Sequence, residues 1–482
     1  MNSPQLLGKR AVNSIITLIS RTLFLNLVNF AGAFALTIFL SPGDFGIFII
    51  TSTIIDILTY FSDIGLAGAL IQKKEEPKSE EINATFTIQM TLVSISILIA
   101  LIFSKNIIAI YSLNTISLWL LYSLLLSFFF SSLKTIPSVI AERSLQFSKV
   151  VLPQIVETII FNVIVVVLAW KGYGVISYVV AVLARAISGT IVIYLLVPYR
   201  PRLFFSIASI KGLLKFGIPF QLNSFIAVLK DKVSLLILGK IIGIEALGIL
   251  GWAEKWANLP LRYFLDASTK VSFSLFSRLQ DEKDKLRTAL ENSLYFISVL
   301  VFPMLAGSSI AMPLLVLIIP KYSKWNSGLP VFQLFLISAA VAAISTFLSN
   351  TLTALGKVKS VLGLMIMWTI LTLTFYPILA IKFGITGIGL ASILVSCSSI
   401  VPYFLVKRHI NFSLLPQIVP ALLASLIMTA ILHYIQFFLP QNFVGLGAII
   451  IIGMISYATV LLLIDRKRVF ERGKIFINLA RK

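Results

Sequence analysis

The sequence predicts an all-α polytopic membrane protein of about fourteen transmembrane helices. They are expected to form two six-helix bundles related by a pseudo-twofold axis along the membrane normal, with two further helices at the C-terminus. Three observations carry that expectation. First, 58% of the 482 residues are hydrophobic and only 12% charged, with a mean hydropathy of +0.99. Soluble domains are about 45–50% apolar with about 25% charged residues, so the solvent of this chain is lipid. Second, apolar runs of the length a bilayer requires, about 20 residues, recur from one end of the chain to the other. Third, short motifs repeat at an offset of about 200–210 residues between the two halves.

The apolar segments fall near 12–40, 45–70, 83–103, 115–139, 150–170, 173–197, 216–239, 246–276, 289–319, 328–354, 360–381, 384–406, 415–438 and 443–464. Short loops join them. The first follows Lys9 and Arg10, and no small-residue cleavage pattern comes after it, so it reads as a retained helix rather than a signal peptide. An even number of spans puts both termini on one side. Loops on that side hold twenty-six Lys and Arg against six on the other, which by the positive-inside rule places both ends in the cytoplasm. The formal net charge of +21 therefore belongs to loops that face anionic lipid headgroups, not to a nucleic-acid surface.

The repeat pairs Asp44-Phe-Gly-Ile-Phe48 with Ala246-Leu-Gly-Ile-Leu250, and Tyr173-Gly-Val-Ile-Ser177 with Phe383-Gly-Ile-Thr-Gly387. A six-helix unit inserts its two copies with the same orientation. The expected domains are 1–205 and 206–408 as the two bundles, and 409–482 as two extra helices with a basic cytoplasmic tail. Pro137, Pro153, Pro219, Pro260, Pro303, Pro313, Pro377 and Pro402 interrupt the spans and are candidate kinks.

Several activities lose their footing here. The one cysteine, Cys397, excludes an internal disulfide and a multi-cysteine metal site and is expected to pack as a small apolar residue; His409 and His433 suggest no metal. Each Gly-Lys pair lacks the upstream glycine and following hydroxyl of a nucleotide-binding P-loop. No loop is long enough to form a catalytic domain. The expectation is a non-enzyme without cofactor or metal.

The informative residues are the charges at membrane depth. Eight cations (Arg21, Lys134, Arg185, Lys230, Lys232, Lys255, Arg262 and Lys270) and six acids (Asp56, Asp63, Glu157, Asp231, Glu254 and Asp266) interrupt apolar segments. A charge at the bilayer centre costs about 2.5–3.5 kcal/mol on insertion scales, so these groups must line a hydrated interior or pair internally. Glu254, Asn258, Arg262, Asp266 and Lys270 recur every fourth residue and form one slowly winding polar stripe. Lys230-Asp231-Lys232 fans across about 200° of its helix, so one lysine pairs with Asp231 or reaches an interface and leaves the other for the cavity. Arg21 suits phosphate because its guanidinium fork matches two phosphate oxygens. Asp56 and Asp63, seven residues apart on one face, are candidate partners for Arg21, and Glu157 for Arg185. The small cationic excess suggests an anionic substrate.

The stretch from Asp44-Phe-Gly-Ile through Asp63-Ile-Gly-Leu-Ala67 to Leu70-Ile-Gln72 resembles bacterial polysaccharide flippases. So do Phe216-Gly-Ile-Pro219 with Asp231 and Ile237-Leu-Gly239, and Pro260 through Val271-Ser-Phe273 to Phe276-Ser-Arg-Leu-Gln-Asp281. These are O-antigen and exopolysaccharide exporters of the multidrug/oligosaccharidyl-lipid/polysaccharide (MOP) superfamily. Ser274 departs from the proline often found there. The resemblance implies a flippase in the cytoplasmic membrane that carries undecaprenyl-diphosphate-linked oligosaccharide repeat units to the outer leaflet by ion-coupled alternating access, with polysaccharide polymerase and glycosyltransferases as partners. On that reading Arg21, Arg185, Lys230, Lys232 and Arg262 are the cavity cations that hold diphosphate and sugar acids. Asp63, Glu157, Asp231, Glu254 and Asp266 serve ion coupling or internal pairing. The alternatives within the superfamily are a multidrug or cation antiporter and a lipid II flippase. Arg21→Ala is expected to abolish export while Arg21→Lys keeps part of it; surface glycan at matched expression is the measurement, and normal export by the alanine variant would refute the role.

Overall fold

The computed structural model describes residue 22, residues 24–62 and residues 64–480, with backbone alone for 207–209, 216–229, 266, 267, 270 and 473–480. Every regular element among the described residues is helical. The chain divides into two compact units, Met1–Gly248 and Ile249–Lys482. The first holds α1 (Phe24–Phe39), α2 (Pro42–Ser62), α3 (Leu66–Gln72), α4 (Ser79–Ile110), α5 (Thr115–Leu133), α6 (Thr135–Arg143), α7 (Phe147–Trp170), α8 (Ile176–Leu196) and α9 (Ile207–Ile242). Helix α10 (Ile244–Ala257) begins there and runs into the second unit. That unit contains α11 (Leu259–Arg278), α12 (Lys283–Ile318), α13 (Leu329–Ala354), α14 (Val358–Cys397), α15 (Ile400–Lys407), α16 (Leu415–Ile435) and α17 (Phe443–Ala480).

Among the described residues, ten helical stretches are long and apolar enough to cross a membrane. Their apolar windows are only partly covered by the rest of the protein, from 17% for Phe443–Arg472 to 56% for Ser323–Ala354. In water so much uncovered leucine, isoleucine and phenylalanine would drive aggregation. The uncovered faces meet lipid instead, and the protein is a multi-pass membrane protein.

Four segments expected as single helices are broken, and three of the breaks lie two to four residues before a proline. Proline offers no N–H to the carbonyl four residues earlier. Pro137 interrupts 115–139 at Lys134, Pro260 interrupts 246–276 at Asn258, and Pro402 interrupts 384–406 at Ser398 and Ser399. The fourth, 45–70, breaks at Gly65, whose φ of +82° is left-handed. Helix α14 contains a sharper event. A straight helix would hold residues 379 and 387 about 12 Å apart, yet a Cβ on Gly387 would sit 2.0 Å from the Leu379 carbonyl oxygen. The chain folds back at Gly384, where φ is +59°. Gly174, its counterpart in the paired motif, has φ +53°. Both positions need a residue without a side-chain clash in the left-handed region.

The other motif pair meets directly. A Cβ on Gly46 would lie 1.8 Å from the carbonyl oxygen of Ile244, and a Cβ on Gly248 1.8 Å from that of Pro42. Helices α2 and α10 thus cross backbone to backbone through two glycines that exchange roles. Within the first unit α7 packs along α8, α5 packs on α8 and α2, and α9 packs on α2, α3 and α4. Arg143 donates to the carbonyl oxygens of Leu70 and Lys73, the latter at 2.7 Å, and so caps the C-terminus of α3. In the second unit α12 packs on α16 and α13 on α14. A buried aromatic cluster joins α10 to the short 3-10 turn before α13, with Trp252 stacked on Trp325 at 5.3 Å and its indole N–H donating to Tyr322 at 3.3 Å.

One further expectation changes. Cys397 is exposed, not packed, because it falls on the outer face of α14. His433 is exposed as well, with its Nδ1 2.9 Å from the Gln436 amide. Gly46→Leu and Gly248→Leu should each cost about 1–3 kcal/mol or more through overpacking. Gly363→Leu, where nothing lies within 4 Å, should cost little. Thermal unfolding in detergent is the measurement, and equal midpoints for all three would refute the crossing.

Candidate functional site

The first unit contains a half-open cavity of about 520 Å³ among α2, α4, α5, α6, α7 and α8, lined by polar and apolar side chains. Helical spacing assembles it. Ser52, Asp56 and Thr59 lie on one face of α2, and Ser127, Ser131 and Thr135 recur every fourth residue through α5 and into α6. Gln89 of α4 reaches across to donate to Thr135 Oγ1 at 2.8 Å. Phe161 and Arg185 close the cavity from α7 and α8, with the guanidinium 5.7 Å from the Phe161 ring centroid.

A three-membered ion cluster borders this space. Lys134, at the C-terminal end of α5, pairs with Glu157 Oε1. The other carboxylate oxygen of Glu157 lies 3.9 Å from Arg185 Nε. The Glu157 side chain is 9% exposed and that of Lys134 17%, whereas that of Arg185 is 55% exposed. Lys134 therefore holds the acid and Arg185 keeps a free face toward the cavity. The carboxylate occupies space left by a missing side chain, since a Cβ on Gly189 of α8 would lie 1.6 Å from Glu157 Oε1.

A second pair stands on the α2 side. Lys232 of α9 donates to Asp56 Oδ2 at 2.5 Å, and Lys230 Nζ lies 3.1 Å from Asp231 Oδ1. Among the described residues, Lys134, Arg185 and Lys232 pair with Asp56 and Glu157 around the cavity, three cations to two acids.

The structure thus brings Arg185, Glu157, Lys232 and the Lys230–Asp231 pair into one unit. Asp56 is engaged by Lys232 through Oδ2. Arg21 and Asp63 lie outside the described residues, as does the side chain of Asp266. In the second unit Glu254 and Arg262 are exposed. Their fourfold register survives the junction before Pro260, because Asn258 N–H donates to the Glu254 carbonyl at 3.0 Å and Arg262 N–H to that of Asn258 at 3.1 Å. Sequence reasoning passed over Lys134 as a site residue, and passed over the hydroxyl wall altogether. The spacing of Ser127, Ser131 and Thr135 inside an apolar run was the available signal.

Among solved structures the fold is similar to the inward-closed lipid II flippase MurJ, with a TM-score of 0.75 and 16% identity over 94% of this chain and 100% of that one. It is also similar to an inward-facing multidrug resistance MATE family transporter of the MOP superfamily, with a TM-score of 0.62 and 14% identity over 82% and 98% of the two chains. At such identities the likeness is one of fold alone. The family model described as polysaccharide biosynthesis protein matches residues 35–330, more than half of the chain, and the chain belongs to that family. Its relatives include the lipopolysaccharide biosynthesis protein WzxC of Escherichia coli K12, 28% identical over 213 residues, which span 44% of this chain and 43% of that protein. The succinoglycan biosynthesis transport protein ExoT of Rhizobium meliloti 1021 is 23% identical over 450 residues, 89% and 87% of the two chains.

The Gly189–Glu157 contact is open to a double-mutant cycle. Gly189→Ala should cost about 1–3 kcal/mol in the native background, and that cost should vanish in a Glu157→Ala background, where no carboxylate stands in the way. Thermal unfolding measures both; an equal cost in the two backgrounds would show that the glycine serves helix packing alone.

Proposed function

We propose that the protein is a flippase that moves a lipid-linked, anionic oligosaccharide from the cytoplasmic to the outer leaflet of the cell membrane. The observation that carries this reading is Arg185, a guanidinium at membrane depth that lines the cavity while its acidic neighbour is held by Lys134. A cation kept partly free inside an apolar fold is costly unless a ligand uses it. Its planar fork suits phosphate and carboxylate. The transport and flippase names of ExoT and MurJ support the same reading.

In its finer form the substrate is an undecaprenyl-diphosphate-linked repeat unit for O-antigen, exopolysaccharide or capsule, moved by ion-coupled alternating access with both termini cytoplasmic. The domains are 1–205, 206–408 and 409–482, and polymerase and glycosyltransferases are partners. Arg21, Lys230, Lys232 and Arg262 complete the set of substrate cations. Glu157 is the leading coupling acid, because it faces both Lys134 and Arg185. Asp63, Asp231, Glu254 and Asp266 are the further candidates.

The test is to delete the gene and measure lipid-linked oligosaccharide by mass spectrometry beside surface glycan. Accumulated intermediate and lost glycan, restored by the wild-type gene, are expected. Arg185→Ala should restore about tenfold less export or worse, from loss of a charged hydrogen bond, and Arg185→Lys an intermediate level. Accumulated lipid II would point to the lipid II flippase instead, and unchanged glycan with new sensitivity to cationic drugs to an antiporter.

A further inference from the structure

The hydroxyl wall of the cavity has a direction. Ser52 Oγ donates to the Phe48 carbonyl at 2.6 Å, Thr59 Oγ1 to Ile55 at 2.9 Å, Ser62 Oγ to Thr59 at 2.8 Å and Ser132 Oγ to Phe128 at 2.9 Å. A hydroxyl has one hydrogen and two lone pairs. With each hydrogen committed to its own helix, these four oxygens can offer the cavity acceptors only. Asp56, also on this wall, adds carboxylate oxygens, one of which already accepts from Lys232. Arg185 stands at the other edge as a donor.

That polarity selects among ligands. A bare diphosphate has only acceptors along its length and would set lone pairs against lone pairs and against the Asp56 carboxylate across the α2 face, whereas Ser127, Ser131 and Thr135 on α5 and α6 can both donate and accept. A cation would suit the oxygens but would share the space with Arg185. A ring carrying several hydroxyl groups can donate to every one of the four oxygens, and an acidic group attached to it can reach Arg185. We propose that the cavity is a saccharide subsite, with the hydroxyl edge of a sugar on Ser52, Thr59, Ser62 and Ser132 and an attached anionic group on Arg185. The volume of about 520 Å³ is within the range of small-molecule pockets. This inference rests on the flippase reading and assigns the sugar, not the diphosphate, to the interior of the first unit.

The experiment uses the full-length protein in nanodiscs and two probes: the lipid-linked oligosaccharide that accumulates in the deletion strain, and bare undecaprenyl diphosphate. Ser52→Ala with Ser132→Ala removes two acceptors without breaking a backbone hydrogen bond, and the isosteric Thr59→Val is the second variant should the first fail to fold. The expected result is about tenfold weaker binding of the glycosylated lipid by the double variant, from two neutral hydrogen bonds, and severalfold weaker by Thr59→Val. Binding of the bare lipid should stay within twofold for both. Equal losses for the two probes, or no loss for the glycosylated one, would overturn the saccharide assignment. A deletion strain that accumulates no lipid-linked oligosaccharide, or a wild-type protein that binds neither lipid, would overturn the flippase reading itself.

Discussion

The chemistry of the first unit depends on one buried carboxylate. Glu157 is the one acid that is buried among the described residues, and it is tolerable there because Lys134 and Arg185 stand on either side. Removing one partner of a buried ion pair typically costs about 3–5 kcal/mol, since the remaining charge is stranded. Here three groups share the burden unequally. Lys134 makes the close contact and Arg185 the distant one, so the guanidinium is steadied by the acid without being consumed by it. A cavity cation must meet both conditions, because a fully paired arginine binds nothing further and a wholly unpaired one is unstable at this depth.

The same carboxylate explains a glycine. Gly189 provides the volume into which Glu157 reaches, just as Gly46 and Gly248 permit α2 and α10 to touch along their backbones. In membranes helix contacts gain little from the hydrophobic effect, since lipid tails are as apolar as leucine, and close approach through small residues takes its place. Glycine here is a statement about what its neighbour needs. At Gly65 and Gly384 it is a statement about the backbone, where left-handed φ angles end one helix and begin another.

These two uses separate what the sequence made legible from what it did not. The positions of apolar segments were readable because lipid contact demands long uninterrupted runs, and a 19-residue window integrates over them. The same integration hides a break of one or two residues, so the interruptions at Lys134, Asn258 and Ser398 were invisible to hydropathy, although Pro137, Pro260 and Pro402 marked them. Which charged residues interrupt apolar segments was readable for the same reason. Their partners were not. Lys134 meets Glu157 and Lys232 meets Asp56 across helices 23 and 176 residues apart in sequence, and no periodicity reports which helix lies opposite which. The hydroxyl wall was missed for a different reason. Serine and threonine are common in membrane helices, and only their convergence from α2, α5 and α6 on one space distinguishes these from the rest.

A fold built on these constraints can persist while its sequence changes almost completely. Identity of 16% accompanies a TM-score of 0.75 with MurJ, and 23% identity extends over 450 residues with ExoT. Lipid-facing positions ask only for apolarity, so leucine, isoleucine, valine and phenylalanine interchange there with little cost, and the fixed requirements shrink to a few glycines, prolines and buried charges. The cavity wall is freer still. A serine that returns its hydrogen to its own helix can become alanine without loss of backbone bonding, or threonine with a shift of the acceptor by one rotamer. If the cavity holds a saccharide as proposed, substitutions of that kind would alter which hydroxyl pattern it accepts and leave the ion cluster untouched. Holding the cluster of Lys134, Glu157 and Arg185 constant while the hydroxyls vary is the least disruptive route by which one such scaffold could be adapted to different sugars.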